Sequence, residues 1–111
     1  MLSGLFGVDF QASNRDFGSG IVVIDNGRVN GGDGSYFYQG RFDNYGGKVR
    51  ATIEVTHYRG TPNSVMGPIS RFTLNLSGTS DDSGFDLQGS SQSIPNVSIK
   101  MRGRRVAPLF E

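Results

Sequence analysis

The sequence predicts an all-β protein, a small up-and-down barrel of about eight strands. Three observations carry this. Apolar residues recur with period two: Val49, Ala51, Ile53 and Val55 alternate with Lys48, Arg50, Thr52, Glu54 and Thr56. That is the pattern of a strand with one face in a core and the other in water. Turn signals recur about every 8–12 residues, the spacing of a sandwich or barrel. No 3.6-residue apolar stripe of useful length is present. Most connections read as short hairpins, which favours a meander, and closing the meander removes its exposed edges.

The elements follow in order. Phe6, Val8 and Phe10 alternate with Gly7, Asp9 and Gln11 in a first strand. Ile21 to Ile24 is a short apolar run, read as the second. Asp25-Asn26-Gly27-Arg28 is a hairpin signal, because Asn-Gly accepts the positive φ angles of a type I′ turn. A brief third strand, Arg28 to Asn30, is expected to end at Gly31-Gly32. Tyr36, Tyr38 and Phe42 alternate with Phe37, Gln39 and Arg41 in a fourth. Asp43-Asn44-Tyr45-Gly46-Gly47 reads as a turn into the fifth, described above. Residues 59–68 form a loop with two prolines. Phe72, Leu74 and Leu76 mark a sixth strand, and Thr79 to Gly84 a turn. Phe85 and Leu87 mark a seventh, residues 89–95 a loop, and Val97, Ile99 and Met101 an eighth.

Size and composition narrow the function classes. The 111 residues make one domain, 1–111, with one modest core. No apolar run approaches the roughly 20 residues of a membrane-spanning helix. The opening MLSGLFGVDF has no basic n-region and no long apolar stretch, so no secretory signal is read there. With no cysteine, disulfides, zinc–thiolate sites and thiol chemistry are excluded. A cytoplasmic protein is expected. The net charge of +1 does not call for a polyanionic partner. The 17 glycines are read as sitting mostly where strands end.

The side chains assigned to the interior are Phe6, Val8, Phe10, Val23, Tyr36, Tyr38, Phe42, Val49, Ile53, Val55, Phe72, Leu74, Leu76, Phe85, Leu87, Val97, Ile99 and Met101. Among them Tyr36, Tyr38, Phe42, Phe72, Phe85 and Met101 could line a cavity for a small apolar ligand, closed by the 59–68 loop. A lipocalin-like carrier is therefore one reading.

The stretch VNGGDGSYFYQG, residues 29–40, superficially suggests a phosphate cradle. Such cradles need a helix opening after the glycines. Here Tyr36, Phe37 and Tyr38 are strand formers, and no Gly-Lys-Ser/Thr follows. Gly-Gly-Asp also begins the diguanylate cyclase signature, but the acid and Phe that continue that motif are replaced by Gly34 and Ser35. The better reading is a strand corner, with glycines bending the chain and Asp33 accepting nearby backbone N–H groups. His57, the single histidine, has no ligand or triad partner at useful spacing and reads as a hydrogen-bonded residue at the barrel rim. No catalytic set, metal site or cofactor is expected. Lys100, Arg102 and Arg104 alternate on one face of the last strand, with Arg105 beside them. They read first as an ordinary solvated outer face and second as a partner surface, and with low net charge a nucleic acid is the less favoured partner.

The segment GSGIVVIDNGRVNGGDGSYFYQGRF resembles the hallmark of the GrlR family of bacterial regulators. Gly18, Gly20, Gly27, Gly31, Gly32, Asp33, Tyr38 and Gly40 match its pattern in order, and GLFGVDF and RATIEVTHYRG are similar as well. The resemblance implies a calycin-like eight-stranded barrel that pairs as a homodimer. It also implies negative regulation of type III secretion genes by holding a transcriptional activator through protein–protein contact. The family's acidic contact run corresponds here to Asp43-Asn44-Tyr45-Gly46-Gly47, which carries one acid. Asp43, Asn44 and Tyr45 are thus a second expected partner surface.

Overall fold

The computed structural model is a closed antiparallel barrel and describes residues 2–13, 17–60 and 69–111. The strands are β1 (Gly4–Ala12), β2 (Phe17–Asp25), β3 (Arg28–Gly32), β4 (Tyr36–Tyr45), β5 (Lys48–His57), β6 (Arg71–Asp81), β7 (Gly84–Ser91) and β8 (Ile94–Ala107). Each pairs with its neighbours in sequence, and β8 closes on β1. The eight-stranded up-and-down barrel expected from the period-two pattern is what forms. Among the described residues, no helix is long and apolar enough to cross a membrane. Residues 61–68, most of the lid expected over the barrel, lie outside the described residues.

The hairpins are tighter than the sequence suggests. Asn26 and Gly27 both have positive φ, 52° and 75°, as a type I′ turn requires. The next turn is only Gly46 and Gly47, with φ of 61° and 87°, and Asp43 to Tyr45 remain in β4. Likewise β7 continues to Ser91 and β8 starts at Ile94, so most of the loop expected over 89–95 is strand. Gly31 and Gly32 also stay in the ladder, opposite Val22 and Ile21 on β2 and Tyr38 and Phe37 on β4. Ladder pairing depends on backbone groups, so a glycine- or serine-rich stretch can remain a strand when both neighbours supply partners.

This changes the role of the glycines. Several lie inside strands, where the barrel bends sharply and backbones crowd. A Cβ on Gly31 would strike the Ile21 carbonyl and sit 2.7 Å from Val22 Cα. A Cβ on Gly40 would strike the Thr52 carbonyl and sit 2.8 Å from Ile53 Cα. On β8, Gly103 leaves room for the Phe85 ring, which lies where a Cβ would be. Glycine at such barrel corners is a closure device.

The interior is nearly the assigned set. The phase of β2 is the exception: Val22 and Ile24 are buried and Val23 is only half-buried. A continuous apolar run does not reveal its own phase. Register decides it, because Phe6 and Gly4 on β1 stand opposite Val22 and Ile24. Val97 is half-buried, beside the irregular pairing at Ser90 and Ser91. Leu2, Ala12, Val29 and Ala51 join the core.

Candidate functional site

The Gly-Gly-Asp corner joins β3 to β4 and is the most densely hydrogen-bonded polar feature among the described residues. Asp33 Oδ1 accepts from the Ser35 and Tyr36 backbone N–H groups, both at 2.8 Å. Asp33 Oδ2 accepts from the Tyr38 hydroxyl. The Asp33 N–H donates to the Tyr36 carbonyl at 2.9 Å, and the Asp33 carbonyl accepts from the Tyr58 hydroxyl at 2.8 Å. The Tyr58 N–H reaches back to the Ser35 carbonyl at 2.9 Å. One carboxylate thus holds the corner, and Tyr58 fastens it to the end of β5. Gly20 on β2 makes room for the phenol, since a Cβ there would lie 3.1 Å from the Tyr38 hydroxyl oxygen.

These contacts decide what the corner can do. The N–H groups of Asp33, Ser35 and Tyr36 are all consumed internally, so they do not converge on an external phosphate. Among the described residues, no group of three or more His, Asp or Glu side chains could hold a metal ion. His57 lies at the end of β5 with its ring edge-on to Tyr36 at 5.4 Å. Its backbone N–H donates to the Ser70 carbonyl. Its Nε2 is buried and has no hydrogen-bond partner among the described residues.

Burial of the Tyr38 ring, then its hydrogen bond to Asp33, then the Asp33 charge, raise the phenol's pKa well above its ordinary 10.0. The folded state therefore keeps a proton that the unfolded chain loses in alkali. The Tyr38 contribution is full below pH 10 and falls above it, by up to ~1.4 kcal/mol per pH unit. Urea unfolding from pH 8 to pH 11 should show this decline. Tyr38→Phe should remove the Tyr38 part of the slope while costing about 1 kcal/mol at neutral pH.

The six side chains proposed to line a cavity are all buried inward and brought together. They also meet residues from other sides of the barrel. Phe85 of β7 contacts Phe6 of β1 and Phe42 of β4, with ring centres 5.6 and 5.2 Å apart. Tyr38 meets Phe10 edge-on at 5.6 Å, and Tyr36 meets Phe72 at 6.4 Å.

The two expected partner surfaces are not brought together. Asp43, Asn44 and Tyr45 end β4, and Lys100, Arg102 and Arg104 lie on β8, halfway round the closed barrel. Asn44 is occupied by the hairpin, since it donates to Ser80 Oγ at 2.9 Å and accepts from the Gly47 N–H at 3.1 Å. Tyr45 is 72% exposed. On β8 the three cations all face out, but Arg102 is paired with Asp86 at 2.8 Å and stands opposite Asp9. Arg104 donates to the neighbouring Gly103 carbonyl. Sequence reasoning missed Tyr58 as an anchor, because a contact 25 residues away has no local signal. It also missed the outward pairing of Arg28 with Arg41, which appears only once β3 and β4 are in register.

A protein-family model described as "T3SS negative regulator, GrlR" matches residues 1–109. The chain belongs to the GrlR family. No curated protein matches it. In this GrlR-family chain, Gly31, Gly32, Asp33 and Tyr38 lie in or against the β3–β4 corner, and Gly40 lies farther along β4, packed against β5. Gly31 and Gly40 permit close strand approach, Asp33 and Tyr38 hydrogen-bond each other, and Gly32 packs on Tyr36 and Phe37.

Proposed function

We propose that this GrlR-family chain is a non-enzymatic regulator of type III secretion genes that acts by holding a transcriptional activator through protein–protein contact. The observation that carries this is the family match over residues 1–109. The Gly-Gly-Asp corner supports it, because its donors and acceptors are spent on the fold. The inward rings that meet across the barrel support a packed interior over a ligand carrier. Work in the cytoplasm as a homodimer belongs to the same reading.

A secretion-operon reporter in the native host tests it. Deleting the gene is expected to raise reporter output several-fold, and re-expression to restore repression. The activator should co-purify with the tagged chain, and light scattering should give twice the monomer mass. An unchanged reporter with no activator recovered would overturn the proposal.

A further inference from the structure

The outer face of β2, β3 and β4 carries two features, an arginine pair and an apolar saddle whose Phe37 ring also lies 6.2 Å from the Tyr58 ring. The first is an arginine pair. Arg28 and Arg41 stand directly opposite each other across β3 and β4, and both are exposed. Cβ atoms of such partners are about 5 Å apart, and like charges placed this way weaken a sheet. The ion pairs among the described residues are Arg71 with Glu54 and Arg102 with Asp86, so neither Arg28 nor Arg41 is ion-paired there, although Asp25 stands opposite Arg28 on β2.

The second feature is apolar. Farther along the same face, Gly32 stands between Ile21 of β2 and Phe37 of β4, which are 45% and 37% exposed. A Cβ on Gly32 would sit 2.7 Å from the Tyr36 carbonyl, so the floor between the two side chains stays bare backbone. From Arg28 to Gly32 is four residues of strand, about 13 Å.

We propose that this face docks an acidic protein segment, with carboxylates on the Arg28–Arg41 pair and an apolar side chain about 13 Å away on the Ile21–Gly32–Phe37 saddle. The inference rests on the protein-contact reading above and gives that contact a place and a chemistry. Guanidinium groups bind carboxylates through paired, directional hydrogen bonds, and two side by side suit a segment with more than one acid. A nucleic acid fits less well. Asp25 stands opposite Arg28 on β2, and Asp43 follows Arg41 on the outer face of β4, so the positive charge is confined to two side chains, a row too short for a continuous phosphate backbone, and a docking segment must place its acids on the pair itself. The β8 stripe fits less well too, because Arg102 is already paired.

Fluorescence anisotropy with the labelled peptide Asp-Ser-Asp-Ser-Leu-Ser-Phe tests the face directly. The full chain should bind it, more tightly at low salt, and should not bind the version with lysine in place of aspartate. Arg28→Ala/Arg41→Ala should weaken binding about tenfold or more. Phe37→Ser should weaken it several-fold, and Lys100→Ala should leave it unchanged. The double arginine variant should be no less stable to urea than the parent, since it removes a repulsive pair; a stability loss would mean that the pair is structural and count against the proposal. No binding of the acidic peptide, equal binding of the lysine peptide, or full binding by the double variant would overturn it. Tighter binding of an oligothymidylate, lost in the same variant, would assign the face to nucleic acid instead. The reporter separates the two levels. If the parent chain represses and the double variant represses equally, this face is wrong and the regulatory reading stands. If the parent chain does not repress, the regulatory reading fails and the peptide result judges the face alone.

Discussion

Gly40→Ala is expected to destabilise the protein by about 3 kcal/mol, enough to leave a barrel of this size marginal or unfolded. The added methyl would overlap the Thr52 carbonyl and crowd Ile53 Cα, both in the backbone of β5. A side chain could rotate away from such a clash. A ladder backbone cannot, because its retreat would break hydrogen bonds on both sides of β5. Gly34→Ala is the internal control, since nothing lies within 4 Å of its Cβ position. That variant should unfold within about 0.5 kcal/mol of the parent. Urea midpoints for the pair check the claim. Equal midpoints would mean that β4 and β5 are not held as closely as the geometry requires.

Asp33→Ala should cost about 3 kcal/mol. The change removes three hydrogen bonds to one carboxylate and strands the Ser35 and Tyr36 N–H groups and the buried Tyr38 hydroxyl. Asp33→Asn should cost less, about 1–2 kcal/mol, because its carbonyl oxygen can still take the two N–H groups and its amide can donate to the phenol oxygen. Amide hydrogen exchange should localise the damage: Ser35 and Tyr36 should lose protection before the core strands do. If Asp33→Ala unfolds with the parent's midpoint, the corner is not a structural clamp. With the expected loss of stability, reporter repression by Asp33→Ala should fall in proportion to the folded fraction, as expected of a residue that supports the fold without touching a partner.

Much of this site is legible in the sequence, and the misses have common causes. Asp33 following two glycines and preceding a period-two aromatic strand is a local pattern, and its two backbone contacts lie two and three residues away. The third carboxylate contact, to Tyr38, is five residues away and crosses into β4, so it depends on where that strand turns inward. Tyr58 comes from the end of β5 and has no local signal at all. The glycines mislead for a related reason. A glycine looks the same in a turn and at a crowded strand corner, and only the neighbouring backbone distinguishes Gly46 from Gly40. An unbroken apolar run carries no phase of its own, so the sequence does not distinguish Val23 from Val22 as the inward residue.

The sequence by itself determined the all-β class, the strand order, most of the core and the family pattern. These rest on alternation and on turn chemistry, which act between residues a few positions apart. The tertiary structure alone decided the phase of β2, the extension of strands through Gly31, Gly32 and 89–91, the close approaches at Gly31 and Gly40, and the arginine pair beside an apolar saddle. Each of those depends on register between strands and on closure of β8 against β1. Register is a cooperative outcome of the whole barrel, because a one-residue slip would turn every inward side chain outward.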